Sequence, residues 1–307
     1  MSTFSLLKAL ALWGRMAPLL VVRLAVFALL FLGVAAAAWA GAWASVAVRF
    51  NGGSLVPVAG ALIGAVIGAV TLALWRARTV ATHQALLVAL VSDLHDGVRI
   101  PFGSGQIGHA GSAVAARFGS ASDLQALVQN VRSVTRLIPS VAEGGGPYAL
   151  PILGRGVLGG LVDQGVLAHA YRARPENAWE AAHDGLVLTT QNARDLLATA
   201  VRLNLAGWVV TAALLLLLAQ PLAGLSALWP GNGVAAAYVG AALAALALRA
   251  ALVKPFLLAC YWQLFRGLAA GQAPLGEWRG RLTQVSGPFR ALGEKALSWA
   301  PDSRSTA

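Results

Sequence analysis

Long uncharged apolar runs constrain the fold of this chain more than any other feature. The run Leu24–Val48 has 25 uncharged residues and ends at Arg49, whereas about 18 apolar residues already indicate a transmembrane helix. Only 11% of the 307 residues are charged, compared with about 25% in a typical soluble domain. The runs therefore predict a single polytopic, all-α membrane domain.

Four of these runs are predicted to cross the membrane as helices. They cover residues 24–48, 55–75, 205–221 and 233–253. Ala38-Trp39-Ala40 resembles a signal-peptide cleavage site after a basic start, but the apolar run continues eight residues past it. We therefore expect an uncleaved first span, preceded by an interfacial helix in residues 1–23. Arg249 and Lys254 lie near the inner end of the last span, where long side chains can extend to water.

A glycine stripe occupies the second predicted span. Gly60, Gly64 and Gly68 recur every four residues, so they share one face of a helix and allow close approach of a second helix. The stripe predicts packing against the first span of the same chain, and a homo-oligomer contact is the alternative.

The remaining segments predict amphipathic helices that lie on the membrane or on the spans. They cover residues 79–96, 122–138 and 176–203, with Ser122 as the N-cap of the second. The third is expected to continue without a break into the span 205–221. Residues 101–119 are rich in Gly and Ser and predict a loop. The basic tail 266–307 is expected to lie along anionic lipid headgroups.

The stretch Tyr148–Tyr171 is apolar but contains charged residues and a Gly-Gly break. If it crossed the membrane, four basic residues between positions 172 and 202 and six in the tail would join Arg49 outside. Basic residues near span ends strongly prefer the cytoplasm. The chain therefore predicts four spans with both termini cytoplasmic, and this stretch as a re-entrant hairpin or a buried helix. The dominance of Ala, Gly, Leu and Arg suggests a bacterial cytoplasmic membrane.

Arg155, Asp163 and His169 are the candidate site residues because they lie within this stretch. Ionisable groups at membrane depth are expensive and are usually paired or functional. Arg155 and Asp163 would face each other across a hairpin that turns at Gly159-Gly160. A structural ion pair and a substrate or proton site are both open interpretations.

The tripeptide His-Asp-Gly occurs twice, at positions 95–97 and 183–185. A faint internal duplication is one interpretation, since many transporters contain repeats, and chance is the other. Adjacent His and Asp residues point to different helix faces, so the pairs do not predict a metal site.

Other function classes find little support in the sequence. Cys260 is the only cysteine, which excludes an intramolecular disulfide and a cysteine metal site. The net charge of +11 is dispersed beside the apolar runs, so lipid headgroups explain it better than nucleic acid. The standard hydrolase, metalloprotease and P-loop signatures are missing. We therefore expect neither an enzyme nor a bound cofactor or metal.

Residues 179–270 resemble the C-terminal part of choline-transporter-like membrane proteins. The resemblance covers the segment 179–218, in which an amphipathic helix with an Ala-Arg turn leads into a span, and then one more span. Four spans with partly inserted helices also resemble the sulfate-permease-like membrane proteins of bacteria. Both resemblances imply transport by analogy and identify no binding residue.

The sequence thus predicts a small permease-like unit with Arg155 and Asp163 at its site. The rival hypothesis is a membrane scaffold or assembly factor that recruits a partner through amphipathic helices and the basic tail.

The four-span topology predicts which positions are labelled from outside intact cells. In a Cys260→Ser background, an impermeant thiol reagent should label Leu225→Cys but neither Arg174→Cys nor a cysteine near the C-terminus. Labelling at position 174 would show that the stretch 148–171 crosses the membrane.

Overall fold

The chain folds into helices that form two compact units. The computed structural model describes residues 5–47, 55–142, 160–173, 177–224 and 233–299. The helices in these ranges are α1 (Leu6–Arg15), α2 (Ala17–Ala47), α3 (Leu55–His95), α4 (Ser104–Phe118), α5 (Ala121–Thr135), α6 (Ile138–Val141), α7 (Leu161–Arg172), α8 (Ala178–Gln191), α9 (Ala193–Ala223), α10 (Gly233–Leu248), α11 (Lys254–Ala269), α12 (Gly276–Val285) and α13 (Gly287–Ser298), with a π-helical segment at Arg249–Val253.

The sequence predicts one membrane domain, whereas the structure divides into two units. Unit 1 contains Met1–Leu19, Ala81–Leu205 and Pro255–Ala307, and unit 2 contains Leu20–Val80 and Ala206–Lys254. All 12 Asp and Glu residues of the chain belong to unit 1, and the sequence of unit 2 contains none. Carboxylates are costly in hydrocarbon, so this partition marks unit 2 as the more lipid-compatible part.

Three helical segments among the described residues are long and apolar enough to cross a membrane. They are Ala17–Ser45, Ala193–Ala223 and Ala237–Ala269, and Ala59–Gly68 is a shorter apolar stretch. The all-helical fold is thus confirmed for the described residues, and these three helices are compatible with a membrane protein. The count of four spans remains a prediction.

Two helix boundaries differ from the predicted ones. α3 joins the predicted second span and the amphipathic segment after it into one helix of 41 residues, because residues 76–95 contain neither Gly nor Pro to interrupt it. The predicted continuous helix from residue 176 into the span is instead divided between α8 and α9. Asn192 ends α8, and its side-chain amide donates to the Leu188 carbonyl oxygen at 3.0 Å.

The predicted loop at residues 101–119 is wrong, because Ser104–Phe118 forms α4. Glycines with positive φ flank the helix, at Gly103 (φ 80°) and Gly119 (φ 71°), and mark its two ends. Inside α4, Gln106 is buried and donates to the Arg15 carbonyl oxygen at 3.0 Å. The high Gly and Ser content of this segment predicts a loop, but contacts with distant residues stabilise a helix.

Helix α8 lies at the centre of unit 1. It is buried from Ala178 to Thr190 except at Glu180, and it packs against α7, α12 and α13. Its N-cap is Asn177, whose side chain accepts hydrogen bonds from the backbone N–H groups of Trp179 and Glu180. α5 buries the apolar face that the sequence predicts, but its N-cap is Ser120, two residues before the predicted Ser122.

The described part of the basic tail belongs to the body of unit 1. α12 and α13 bury Leu282, Phe289 and Leu292, and Asn177 donates to the Ala296 carbonyl oxygen at 2.7 Å. α13 packs on α5 and α8, and the predicted contact of the tail with lipid headgroups stays a prediction.

Within unit 2 the glycine stripe lies against α2. A Cβ atom added at Gly64 would overlap the Ala37 carbonyl oxygen, and one added at Gly60 would overlap the Gly41 carbonyl oxygen and lie 2.6 Å from Ser45 Oγ. A Cβ at Gly68 would lie 3.0 Å from the Ala37 methyl group. The stripe thus provides the close approach between α2 and α3.

The sequence predicts that the Arg249 side chain extends to water, and the structure differs from this prediction. It is buried in unit 2, where Nη1 donates to Thr211 Oγ1 at 3.1 Å. The guanidinium carbon lies 4.1 Å from the centre of the Trp208 ring, close enough for a cation–π interaction.

The glycine contact predicts a clear difference between two Gly→Ala substitutions in unit 2. Gly64→Ala should destabilise the protein by about 1–3 kcal/mol, because the added methyl group must displace backbone of α2. Gly33→Ala on α2 meets nothing within 4 Å and should be neutral or slightly stabilising. Thermal unfolding midpoints in detergent measure both effects, and equal midpoints for the two variants would contradict the close packing.

Candidate functional site

Helix α7 is the described half of the stretch 148–171. It begins at Leu161, and its N-cap Gly160 has a φ of 128°, in a region that favours glycine. Leu161–Ala168 is buried in unit 1. Arg155 lies outside the described residues, and the re-entrant hairpin remains a prediction.

The N-terminal end of α7 contacts α5 through Asp163. The side chain is buried, Thr135 Oγ1 donates a short hydrogen bond to Oδ1, and Arg132 Nε lies 3.4 Å from Oδ2. Burial raises the pKa of Asp163, although Thr135 and Arg132 act in the opposite direction. The arrangement therefore joins α7 to α5 by a buried carboxyl group with a charged and a neutral donor.

His169 has different surroundings from Asp163. Its ring centroid lies 5.8 Å from that of Phe265 on α11, and its Cδ2 atom would lie 3.1 Å from a Cβ atom added at Gly185 on α8. His169 is thus half-buried and packed against α11 and α8. The two described candidates belong to separate contacts and do not form one site.

The C-terminal end of α7 borders a cleft of about 370 Å³, which we call the Arg117 cleft. Its lining residues are Asp93, Asp96, Ala113, Ala116, Arg117, Tyr171 and Arg172. Small-molecule sites typically have volumes of about 300–1,000 Å³ and a few placed polar groups. The cleft meets both criteria.

The two carboxylates of the cleft are already held by donors. Asp93 Oδ2 accepts from Tyr171 Oη at 3.0 Å and lies 2.9 Å from His109 Nε2. Asp96 accepts from Arg172 Nε at 2.6 Å and from Arg266 Nη1 at 2.5 Å. Burial and the adjacent Asp93 carboxylate raise the pKa of Tyr171, so its hydroxyl remains a donor at neutral pH.

Arg117 holds the end of α7 through main-chain carbonyl groups. Its Nε and Nη2 atoms donate to the Ala170 carbonyl oxygen at 3.0 and 2.6 Å, and Nη2 also donates to that of Ala173. The residue is 9% exposed, and Nη1 is buried with no hydrogen-bond partner among the described residues. Burial lowers the pKa of Arg117, but a guanidinium stays charged at neutral pH.

The cleft can bind a small polar group but offers no arrangement typical of catalysis or metal binding. Across the parts of the chain that the structure describes, no three His, Cys, Asp or Glu side chains come together as metal ligands. Arg117 Nη1 is buried, so the polar groups that the cleft offers are those of its other lining residues.

The two His-Asp-Gly tripeptides occupy different structural positions. Residues 95–97 end α3, with Gly97 at a φ of 78°. Residues 183–185 lie inside α8, where the His183 ring stacks on Phe289 at 4.0 Å and Asp184 accepts from Arg279 Nη2 at 2.7 Å. This difference favours chance over duplication.

Comparison with family models, with curated proteins and with solved structures finds no match to this chain. The resemblances to choline-transporter-like and sulfate-permease-like proteins therefore remain predictions, and the site must be judged by its own geometry.

The sequence did not single out the residues of the Arg117 cleft as a site. Asp96 lies in the first His-Asp-Gly tripeptide, but Arg117 lies in a segment that predicts a loop. The sequence does contain one pattern that could have indicated them, the spacing of Ala113, Ala116 and Arg117. These residues lie on one face if the segment forms a helix.

Stability is predicted to fall in mild acid because of His183. Burial, followed by the charge of Arg279, lowers its pKa from 6.5 to about 4. Between pH 6.5 and pH 4, the unfolded chain binds more protons at this residue than the folded chain does. The free energy of unfolding is therefore highest above pH 6.5 and decreases as the pH falls towards 4. The loss from pH 7 to pH 5 is about 2 kcal/mol for this group.

His183→Phe keeps a planar ring against Phe289 and removes the titration. Thermal unfolding at pH 7 and pH 5 should show a smaller acid shift for His183→Phe than for the wild type. The same acid shift in both proteins would refute the assignment.

Proposed function

We propose that the protein is a permease-like unit that moves a small solute across a bacterial cytoplasmic membrane, with the Arg117 cleft as its solute site. Three helices long and apolar enough to cross a bilayer support the membrane part of the proposal. The observation that supports the solute part is the Arg117 cleft itself, a space of about 370 Å³ that five ionisable side chains of unit 1 help to line. The predicted four spans and cytoplasmic termini belong to the same proposal.

Two of the groups that line the cleft have shifted pKa values. Perturbed titratable groups cluster at functional sites, and the pKa values of Arg117 and Tyr171 are both shifted by burial.

The sequence predicts a site at Asp163, near the start of α7, whereas this proposal uses the Arg117 cleft at the end of α7. Asp163 is enclosed by Thr135 and Arg132 and is assigned the structural role that the sequence left open. Arg132 is 40% exposed in its side chain, so this ion pair adds little stability by itself.

The rival scaffold hypothesis requires amphipathic helices and a basic tail that are free to recruit a partner. Phe289 and Leu292 of α13 and the apolar face of α5 are buried in unit 1. Leu297 of α13 and Leu7 of α1 are exposed, and the scaffold hypothesis would use such residues.

Permeation can be tested without knowing the solute. Proteoliposomes that contain the wild-type chain should recover volume faster than protein-free vesicles after osmotic shock with at least one solute from a panel of small anions, zwitterions and neutral compounds. Arg117→Gln should lower that rate about tenfold, because it removes a positive charge from the lining of the cleft.

Arg194 provides the matched control because it is an exposed arginine outside the cleft. Arg194→Gln should keep the wild-type rate. Circular dichroism and the unfolding midpoint identify any variant that fails to fold, and Tyr171→Phe provides a second, milder change in the cleft. If the wild-type vesicles behave like protein-free vesicles with every solute, the permease proposal is wrong.

A further inference from the structure

Helix α1 has a buried face and an exposed apolar strip. Ala9 and Leu12 are buried in unit 1, whereas the side chains of Leu6, Leu7 and Leu10 are exposed. Leu10 follows Leu6 by four residues and Leu7 by three, so the three leucines are neighbours on the helix surface. A contiguous exposed apolar surface with polar residues at its rim is typical of an interaction site.

Two basic side chains border the apolar strip of α1. Lys8 and Arg15 are both exposed, and they are two helical turns apart, so they lie on the same side of the helix. An amphipathic helix with leucines on one face and Lys or Arg beside them is typical of helices that lie in the plane of a membrane interface. The residues of α1 therefore suit the boundary between headgroups and acyl chains.

The loop between α3 and α4 exposes a second apolar group with a basic neighbour. Phe102 is 80% exposed, and Val98 and Arg99 are exposed in the same loop. The backbone N–H of Val98 donates to the Asp93 carbonyl oxygen at 2.9 Å, and Gly103, with a φ of 80°, leads the chain into α4. An ordered loop thus holds the phenyl ring away from the interior of unit 1.

Gln106 joins this loop to the start of the first candidate span. Its side-chain amide is buried, donates to the Arg15 carbonyl oxygen at 3.0 Å and accepts from the Leu19 backbone N–H at 3.4 Å. The segment that is apolar enough to cross a membrane begins at Ala17, between these two contacts. Phe102 precedes Gln106 by four residues and therefore lies within about 14 Å of it. Both α1 and the loop thus lie beside the residue at which the chain would enter a bilayer.

We propose that α1 and the α3–α4 loop form one surface that docks on the headgroup layer of an anionic membrane leaflet. The sequence predicts an interfacial helix in residues 1–23, and the loop is a second element of the same surface. The apolar side chains of this α1–loop surface are Leu6, Leu7, Leu10 and Phe102, and its basic side chains are Lys8, Arg15 and Arg99. The inference uses the candidate span of the proposed function but not its solute site.

The charge of the α1–loop surface favours lipid over a second copy of the chain. Neither residues 1–19 nor residues 97–103 contain an Asp or Glu, so the surface attracts anionic headgroups. A symmetric dimer would place the same patch on both partners, and its basic groups would then face each other. Such like-charge contacts are unfavourable at an interface.

Fluorescent labels measure the contact with lipid in the full-length chain. A nitrobenzoxadiazole group is attached to Leu7→Cys or to Phe102→Cys in a Cys260→Ser background, and each protein is reconstituted in vesicles of phosphatidylcholine and phosphatidylglycerol. Lipids with a nitroxide high on the acyl chain should quench both labels about threefold more strongly than a control label, because the apolar face of an interfacial helix is buried roughly 5–10 Å into the boundary of headgroups and acyl chains.

Ser122→Cys carries the matched control label. Ser122 is exposed on α5, which follows the far end of α4. About 18 Å of helix separates Gln106 from Phe118 at that end, so the control label should be quenched weakly.

The charge of the lipid is tested by moving the nitroxide between two lipids. Nitroxide-labelled phosphatidylglycerol should quench the Leu7→Cys label about twofold more strongly than the same fraction of nitroxide-labelled phosphatidylcholine. Lys8→Gln/Arg99→Gln should remove this preference. Arg194→Gln/Arg290→Gln, which replaces two exposed arginines elsewhere in unit 1, should keep it. Circular dichroism and the unfolding midpoint identify any variant that fails to fold.

Three results would overturn the inference. Quenching at positions 7 and 102 that does not exceed the quenching at position 122 would show that the α1–loop surface does not contact lipid. Equal quenching by the two lipids, or a preference that survives Lys8→Gln/Arg99→Gln, would exclude anionic headgroups. Self-quenching of the Leu7→Cys label that grows with the protein-to-lipid ratio, without quenching by nitroxide lipid, would assign the surface to a second copy.

These outcomes are distinguishable from those of the permease proposal, because no solute is present. Selective quenching of the labels at positions 7 and 102 without volume recovery in vesicles would support the lipid contact and refute transport. Volume recovery without such quenching would support transport and refute the lipid contact.

Discussion

The contact between the Arg117 guanidinium and the carbonyl groups at the end of α7 is the interaction on which unit 1 depends most. Arg117 is 9% exposed and has no carboxylate partner among the described residues. Burial of such a cation is tolerated only where oxygen atoms replace water. The end of α7 supplies them, and this contact sets the position of α7 relative to α4.

The other contacts of α7 are compatible with that position. At its start, Asp163 contacts Thr135 and Arg132 on α5. In its middle, Gly165 leaves room for the Tyr261 ring, which would lie 2.5 Å from an added Cβ atom. The helix is therefore held by ionic contacts at both ends and by close packing between them.

The two units have compositions that suit different solvents. Unit 2 has no Asp or Glu in its sequence and leaves large apolar side chains such as Leu216 and Ile63 exposed, as expected of helices that face lipid. Its helices approach through glycine and alanine at Gly64 and Ala37, which is the usual way that helices associate in a bilayer. Unit 1 contains all the carboxylates and buries several of them in ion pairs.

The sequence predicted those features that depend on local composition. Apolar runs predicted the helices α2 and α9, and four-residue spacing predicted the packing face of Gly60 and Gly64. It failed where distant residues decide the structure. The helix α4 depends on buried contacts such as that of Gln106 with Arg15, and α13 is held by Asn177, 119 residues before Ala296. The cleft was missed for the same reason, since its residues come from three segments.

The unfolding midpoint of Arg117→Lys tests the central claim most directly, because lysine keeps the positive charge but lacks the planar fork that donates to the Ala170 and Ala173 carbonyl groups. The account predicts a lower thermal unfolding midpoint in detergent for Arg117→Lys than for Arg194→Lys, which changes an exposed arginine outside the cleft. Equal midpoints for the two variants would contradict it.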